Sequence, residues 1–293
     1  MTKAAWQVGA KGTAFSQVGQ TVPEMPSGEF IFEEDSNGRL WAKGQKTITD
    51  NLIDLPDLPT NFMLDQVKLF WSKKLEYERF GFLQKRGIML YGPPGCGKSS
   101  IIALLKRQLI DLGGVVFSMG DGGYDQLSTG LKEFREVEPE RPCMTIVEDI
   151  ETYLEGSNGS NVARSETDAL ALYDGEHQIN NVVHIATTNK PDAVADRFIR
   201  RPGRFDVVIG LHSPTRATRE AYLKSICKGQ LNDEDMTKIL DKTNGLSLAY
   251  LREIATTYLV LEIPLDETIA RLNKNKKDKF NGTEGFSVGF VSE

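Results

Sequence analysis

The sequence predicts an α/β protein in which a parallel sheet carries helices on both faces and is followed by a small all-helical domain. Strand-like and helix-like segments alternate from residue 88 to residue 211, which is the pattern of repeated βαβ units. After residue 213, by contrast, apolar residues recur at helical spacing. A glycine-rich turn also stands between the first strand and the first helix of the alternating region.

The N-terminal region precedes this alternation and is predicted to form an arm and a β-hairpin. Two strand-like runs, 29–33 and 39–43, are joined across Asn37-Gly38, a dipeptide that favours tight hairpin turns. A lone hairpin is only marginally stable in water. We therefore expect it to pack on the rest of the protein or on a neighbouring subunit.

The glycine-rich turn has the pattern G-x-x-x-x-G-K-S, which is typical of a phosphate-binding loop. It follows an apolar strand, 88–91, and precedes an apolar helix that begins at Ser99. Glycines let backbone N–H groups point at phosphate oxygens, and the helix N-terminus adds partial positive charge. Lys98 is predicted to reach the β- and γ-phosphates of ATP, and the Ser99 hydroxyl to ligate Mg²⁺. The predicted nucleotide-binding residues are Gly92, Pro93, Pro94, Gly95, Cys96, Gly97, Lys98, Ser99 and Ser100.

Polar side chains follow two further buried strands. The run 144–147 ends in Glu148-Asp149-Ile150-Glu151, and the run 182–188 ends in Asn189. Open α/β sheets bind ligands at the carboxyl ends of their strands. Carboxylates there can hold a metal and polarise a water, and Asn189 can orient the attacking water.

A basic turn, Arg200-Arg201-Pro202-Gly203-Arg204, comes next along the chain. It brings three guanidinium groups together, an arrangement suited to neutralising charge on a phosphate as an arginine finger does. Each of these polar segments is a weak indicator by itself, because most such residues are solvated surface. Their order and spacing strengthen the prediction.

Together these segments resemble the AAA ATPases of the AAA+ superfamily, from about residue 50 to residue 275. The resemblance implies an Mg²⁺-dependent ATPase that assembles into a homo-oligomeric ring, expected to be a hexamer. It also implies that Arg201 and Arg204 reach the nucleotide of the adjacent subunit. The matching segments are 86–95 for Walker A, 146–150 for Walker B, 172–175 for a Leu-x-Asp-Gly motif, 186–189 for sensor 1 and 196–206 for the second region of homology.

The Walker B segment departs from the family. Most members end it in Asp-Glu, whereas this chain has Glu148-Asp149, which is similar to the subgroup of the mitochondrial Rieske-protein translocase. The resemblance therefore implies that Glu148 is a metal ligand, as Ser99 is, and that Asp149 is the base that activates water. Alternatively, Asp149 caps a turn and Glu151 serves catalysis, because residues two apart on a strand share a face. The predicted catalytic residues are Asp149, Glu148, Asn189, Arg201 and Arg204.

The segment after the second strand, 119–124, lacks a clear aromatic-apolar-glycine loop of the peptide-threading members. Tyr124 could line a pore, but a tyrosine that covers a hydrophobic edge is the favoured interpretation. Threading of unfolded polypeptide therefore does not follow from the resemblance.

Four regions are predicted along the chain: an arm with the hairpin (1–48), a large ATPase domain (49–212), a helical lid (213–278) and a tail (279–293). A proline-containing segment, 55–59, and a helix over 63–77 lead into the ATPase core. The lid is predicted to contain helices over 216–228, 233–242, 248–262 and 266–275. Ser247 is a predicted N-cap of the third, and Arg252 is expected at the surface.

The composition predicts an intracellular, cytoplasmic enzyme. The net charge of −6 argues against the broad basic face of a dedicated nucleic-acid binder. No run of 18 apolar residues occurs, and residues 1–27 contain no secretory apolar region, so no membrane partner is expected. Three cysteines and three histidines show no metal-binding or disulfide spacing.

These observations favour an ATP-driven, chaperone-like ring motor that remodels or moves a macromolecule, with protein as the favoured substrate. A nucleic-acid-handling ATPase, such as a loader or replication accessory, is the alternative. Basic clusters such as Lys73-Lys74 leave nucleic-acid contact possible but not favoured. A scaffold whose assembly is gated by nucleotide is the third hypothesis.

Overall fold

A computed structural model describes residues 5–8, 15–18, 21–46, 53, 55–56, 58–154, 159–174, 179–194, 198 and 203–277. Side chains are described from residue 21 onward, apart from 154, 159–165 and 273–277. The chain divides into two compact units. The sheet unit comprises Met1–Asp50, Phe62–Tyr91 and Ile102–Ile209, and the lid unit comprises Asn51–Asn61, Gly92–Ile101 and Gly210–Glu293.

The sheet unit is built on a seven-stranded sheet with the order β4-β3-β6-β7-β8-β5-β9. The neighbours β3 and β6, β6 and β7, β7 and β8, and β8 and β5 run parallel, whereas β3 and β4 are antiparallel. The strands are β3 (Gly28–Glu34), β4 (Leu40–Gln45), β5 (Lys85–Tyr91), β6 (Val115–Ser118), β7 (Cys143–Val147), β8 (Val182–Thr188) and β9 (Val207–Gly210). A separate two-stranded ladder pairs β1 (Ala5–Val8) with β2 (Phe15–Val18).

The hairpin β3–β4 extends the edge of this sheet. Strand β3 lies parallel to β6, with Gly28 opposite Val115. Phe32 stacks on Phe117 with ring centroids 4.7 Å apart. Glu29 accepts hydrogen bonds from Lys106 Nζ at 2.6 Å and from Ser118 Oγ at 2.5 Å. The prediction of a hairpin that packs on the rest of the protein is confirmed.

Helices alternate with the strands and lie on both sides of the sheet, which confirms the predicted α/β fold class. The predicted helix over 63–77 is in fact two helices, because Lys73 leaves helical geometry at φ −101° and ψ 17°. The second of them, α2, buries none of its residues. The helices are α1 (Thr60–Ser72), α2 (Lys74–Phe80), α3 (Lys98–Asp111), α4 (Gly123–Val137), α5 (Glu151–Leu154), α6 (Gly159–Tyr173) and α7 (Pro191–Val194).

The lid unit contains the four predicted helices: α8 (Arg216–Cys227), α9 (Asp233–Lys242), α10 (Leu248–Leu259) and α11 (Leu265–Lys277). Side-chain caps begin two of them: Thr215 Oγ1 accepts from the N–H of Thr218 at 3.2 Å, and Asn232 Oδ1 accepts from that of Asp235 at 2.7 Å. Their apolar faces share one core, which also buries Leu55 from the entry segment. Among the helices that the structure describes, none is long and apolar enough to cross a bilayer.

The predicted domain limits at 49–212 and 213–278 were drawn along the chain. Each of the two compact units instead consists of several separate segments of the chain. Residues 51–61 and 92–101, which includes the glycine-rich loop, group with the lid helices. The predicted limits stay a prediction. The predicted tail, 279–293, lies outside the described residues.

Candidate active site

The predicted nucleotide-binding and catalytic residues fall into two sets. The phosphate loop lies in the lid unit, whereas Glu148, Asp149, Asn189 and Arg204 lie in the sheet unit.

The phosphate loop directly follows β5 and ends where α3 begins, at Lys98. Gly92, Gly95 and Gly97 have φ values of +150°, +74° and +107°, a region that side-chain-bearing residues rarely adopt. A Cβ atom at Gly92 would lie 2.2 Å from the carbonyl oxygen of Leu211. The glycines are thus required by the fold of the loop itself, in addition to any ligand it binds.

Lys98 folds back over this loop and is only 7% exposed. Its ammonium donates to the carbonyl oxygens of Gly92, at 2.7 Å, and Pro93, at 3.1 Å. Cys96 is buried within the loop, whereas Ser99 is exposed at the first turn of α3. A phosphate group can take over the hydrogen bonds of Lys98, because its oxygens are stronger acceptors than carbonyl groups.

Two segments of the lid unit border the loop. Leu58, in the entry segment, has its Cδ1 atom 3.0 Å from where a Cβ of Gly97 would lie. The N–H of Leu248, at the start of α10, donates to the carbonyl of Gly95 at 3.0 Å. Ser247 occupies the N-cap position of α10 as predicted, but its side chain makes no capping hydrogen bond within the described chain. Arg252 is exposed on α10, as expected.

In the sheet unit, the acidic turn after β7 has an unusual backbone. Asp149 has φ +49°, the left-handed region that aspartate and asparagine tolerate better than most residues. Its N–H donates to Thr187 Oγ1 at 2.9 Å, and the N–H of Ile150 donates to the Thr187 carbonyl at 2.9 Å. The end of β8 therefore holds this turn in place.

The structure brings Asp149 and Asn189 together. The amide Nδ2 of Asn189 donates to Asp149 Oδ1 at 2.7 Å, and the backbone N–H of Asn189 donates to Glu151 Oε1 at 3.0 Å. Glu148 is exposed, Asp149 is half-buried and Glu151 is 4% exposed. Among the three carboxylates, the alternative base Glu151 is therefore the least accessible. Sequence reasoning did not anticipate that Thr187 and Glu151 would hold the two predicted catalytic residues.

The predicted metal ligands, Ser99 and Glu148, supply oxygen atoms, which suit Mg²⁺. The described part of the chain contains no cluster of three or more His, Cys, Asp or Glu side chains that could hold a metal. Mg²⁺ commonly binds one or two protein ligands together with substrate phosphates. The residues present fit that mode of binding.

The arginine turn is described only in part, since Arg201 lies outside the described residues. Arg204 is 6% exposed, and its Nε lies 3.3 Å from Asp174 Oδ2, in the predicted Leu-x-Asp-Gly motif. Lys85 Nζ donates to the carbonyl of Gly203 at 2.9 Å. Burial lowers the pKa of Lys85, although Asp174 and Asp206 oppose this shift. Gly203 and Arg204 are thus bound to their own unit, and the action of Arg201 and Arg204 on a neighbouring subunit stays a prediction.

Tyr124 is 2% exposed at the start of α4, with its ring centroid 5.8 Å from that of Tyr173. Burial raises the pKa of its hydroxyl well above the usual value. The favoured interpretation, a tyrosine that covers a hydrophobic edge, agrees with this burial, although Tyr124 lies in the first turn of a helix. Only residues 119–122, which include no aromatic side chain, connect β6 to α4.

Comparison with known proteins agrees with this geometry. The family described as "ATPase family associated with various cellular activities (AAA)" matches residues 88–213. The chain is 30% identical to the ATP-dependent zinc metalloprotease FtsH of Corynebacterium glutamicum over 68% of its own length and 26% of that protein. It is 30% identical to FtsH of Mycoplasma pneumoniae, over 82% of its own length and 36% of that protein. Protein SAV of Sulfolobus acidocaldarius is 31% identical over 61% of this chain and 24% of its own length.

The chain spans only about a quarter to a third of the length of these relatives. Likeness to the subgroup of the mitochondrial Rieske-protein translocase is not among these matches, so that finer assignment stays a prediction. The motifs quoted above, the seven-stranded sheet and the matched residues agree on the broader assignment. Residues 88–213 therefore match the AAA ATPase family, and the chain is homologous to the AAA domains of FtsH-type proteins.

Proposed function

We propose that this protein is an ATP-driven ring motor that remodels or moves a protein substrate. The observation that carries the proposal is the hydrogen-bonded pair of Asp149 and Asn189, in a chain that also has a complete phosphate loop. Strand β5 runs parallel to β8, with Tyr91 opposite Thr188, and Gly92 directly follows Tyr91. The first residue of the loop is thus covalently bonded to the strand that pairs with β8.

Each residue has a distinct role in the proposed hydrolysis of ATP. Asp149 accepts a proton from the attacking water, whose oxygen bonds to the γ-phosphorus while the bond to the ADP oxygen breaks. Asn189 holds the Asp149 carboxylate and orients the water. Lys98 leaves the loop carbonyls and neutralises charge on the β- and γ-phosphates. Ser99 and Glu148 would hold Mg²⁺ together with phosphate oxygens, and the ion would supply further charge neutralisation.

Two observations favour protein over nucleic acid as the substrate. The relatives from Corynebacterium glutamicum and Mycoplasma pneumoniae are by name proteases, so they act on protein. The net charge of −6 argues against a broad basic surface for a phosphate backbone. Because residues 119–122 carry no aromatic side chain, we do not assign a threading mechanism.

The first test separates ATP binding from hydrolysis in two variants. Lys98→Ala should abolish tight ATP binding, since it leaves phosphate charge facing backbone donors alone. Asp149→Asn should bind ATP normally but hydrolyse it roughly 100-fold more slowly, in the range for loss of a general base. Asparagine also tolerates the left-handed backbone of position 149, so the fold should be preserved. Binding is measured by titration with a fluorescent ATP analogue, and hydrolysis by phosphate release.

The second test identifies the class of substrate. Hydrolysis by the unchanged chain is measured with an unfolded model polypeptide, a folded model protein, and single- and double-stranded DNA and RNA. Stimulation by either protein and by no nucleic acid is the expected result. Stimulation by nucleic acid alone would favour the loader hypothesis, and ATP-dependent assembly without measurable hydrolysis would favour the scaffold.

A further inference from the structure

Glu151 combines two features that are unusual for a carboxylate. It is the first residue of the four-residue helix α5, and it is almost fully buried. Its Oε2 atom is buried without a hydrogen-bond partner in the part of the chain that the structure describes. Buried polar atoms without a partner are rare and costly, so such a residue needs an explanation.

The contact made by the other carboxylate oxygen, Oε1, explains why Glu151 is buried. Oε1 of Glu151 accepts the backbone N–H of Asn189 at 3.0 Å, and the side chain of Asn189 in turn donates to Asp149 at 2.7 Å. Asn189 is therefore fixed at two points, its backbone by Glu151 and its amide by Asp149. Loss of Glu151 would remove the restraint on this backbone N–H.

Thr187, near the end of β8, holds the turn after β7. It accepts the N–H of Asp149 with its hydroxyl and the N–H of Ile150 with its carbonyl, both at 2.9 Å. Four hydrogen bonds thus join the turn after β7 to the end of β8. They help to hold the left-handed backbone of Asp149, a conformation that costs free energy in residues other than glycine.

We propose that Glu151, together with Thr187, is a positioning residue for ATP hydrolysis, and that it holds Asn189 against Asp149 without contacting the reacting atoms. This inference rests on the proposed ATPase function. It assigns to Glu151 a role other than the general base considered from the sequence. A misplacement of about 1 Å at such a pair can slow a reaction roughly 100-fold, so the contacts of Glu151 should control kcat.

Substitutions of similar size separate positioning from catalysis. Glu151→Gln keeps an oxygen that can accept from Asn189, whereas Glu151→Met has similar length and offers no such acceptor. We expect Glu151→Gln to retain at least half of kcat. We expect Glu151→Met to lose roughly 10- to 100-fold in kcat, with the KM for ATP unchanged within about twofold.

The Thr187 pair gives an independent test should Glu151→Met fail to fold. Thr187→Val removes the hydroxyl that accepts from Asp149 and should lower kcat at constant KM. Thr187→Ser restores the hydroxyl and should recover most of kcat. Circular dichroism and thermal unfolding of every variant check that the compared proteins are folded.

The outcomes distinguish this inference from the proposed function. Absence of hydrolysis by the unchanged chain would overturn the proposed function itself. If the unchanged chain hydrolyses ATP, a Glu151→Gln variant as inactive as Asp149→Asn would identify Glu151 as a base and refute the positioning role. Full activity of Glu151→Met, or of Thr187→Val when Glu151→Met does not fold, would likewise refute it.

Discussion

Gly95 illustrates how one residue of the phosphate loop serves both folding and binding. Its φ is +74°, and a Cβ there would lie 2.6 Å from Ser247 Oγ. Ala at this position would strain the backbone by about 1–2 kcal/mol and also push on the start of α10. We expect Gly95→Ala to weaken ATP binding by roughly tenfold or more, because the loop must shift.

Gly113 offers a matched control for this substitution. It has φ +84° but open space around its Cβ position. Gly113→Ala should lower the free energy of unfolding by a similar 1–2 kcal/mol and leave the ATP Kd unchanged. Adding Ser247→Gly to Gly95→Ala should restore part of the lost affinity. Equal ATP affinities for Gly95→Ala and Gly113→Ala would contradict the role given to the contact with Ser247.

At the residue scale, the sequence predicted some placements and could not predict others. The phosphate loop follows from local spacing, since its residues are consecutive. Asp149 and Asn189 were expected at one sheet edge because parallel strands end together. The burial of Arg204 could not be predicted, because it depends on Asp174, 30 positions earlier along the chain. The roles of Thr187 and Glu151 likewise depend on the detailed backbone of a turn.

Within the sheet, His184 of β8 makes folding stability depend on pH. Its Nδ1 lies 2.7 Å from Thr145 Oγ1, and its Nε2 has no hydrogen-bond partner among the described residues. Burial, with a smaller effect from Lys85, lowers its pKa from 6.5 to about 3. The folded protein therefore keeps His184 neutral at pH values where the unfolded chain binds a proton. This contribution to stability is complete above about pH 6.5 and is lost as the pH falls toward 3.

Replacement of this histidine should remove that pH dependence. Urea unfolding at pH 7.5, 6.0 and 5.0 should show His184→Gln losing less stability than the unchanged chain, by up to about 1.4 kcal/mol per pH unit below 6. Other titrating groups are common to both proteins and cancel in the comparison. Parallel pH curves for the two proteins would show that His184 does not titrate as the structure implies.

For the helices and strands, the local sequence pattern predicted which elements exist and of which type they are. It did not predict which strands pair with each other. The hairpin was predicted from Asn37-Gly38 and its flanking strands, but its parallel pairing with β6 depends on residues far along the chain. Apolar spacing predicted one helix over 63–77, and the break at Lys73 left no signal in that spacing. The four lid helices were predicted well because each has a helical apolar face.

For the whole molecule, the ring hypothesis predicts complementation between two inactive variants. Arg201→Ala keeps its own phosphate loop but lacks the arginine proposed to act on its neighbour, and Lys98→Ala has the opposite defect. In a head-to-tail ring mixed at equal amounts, about a quarter of the sites would combine an intact Lys98 with an intact Arg201. Hydrolysis should recover to about that fraction, as measured by phosphate release after subunit exchange.

Two observations would count against the ring. One is hydrolysis at full rate by a strict monomer in analytical ultracentrifugation, and the other is a mixture no more active than its components. Arg204→Ala should be tested separately, since the loss of its contact with Asp174 can destabilise the sheet unit as well as the ring. Unfolding of each variant shows which effect dominates.

The hairpin at the sheet edge is synthesised well before the strand that it pairs with. Glu29 and its partner Ser118 are 89 positions apart, so the ribosome makes β3 on the order of ten seconds before β6. During that interval Phe30, Ile31 and Phe32 form an apolar strand with a free edge, the kind of segment that aggregates. Glu29, Glu33 and Glu34 flank this run and oppose association of one nascent chain with another. Neutral substitutions of Glu33 and Glu34 should therefore reduce the yield of soluble protein more than the stability of the finished fold.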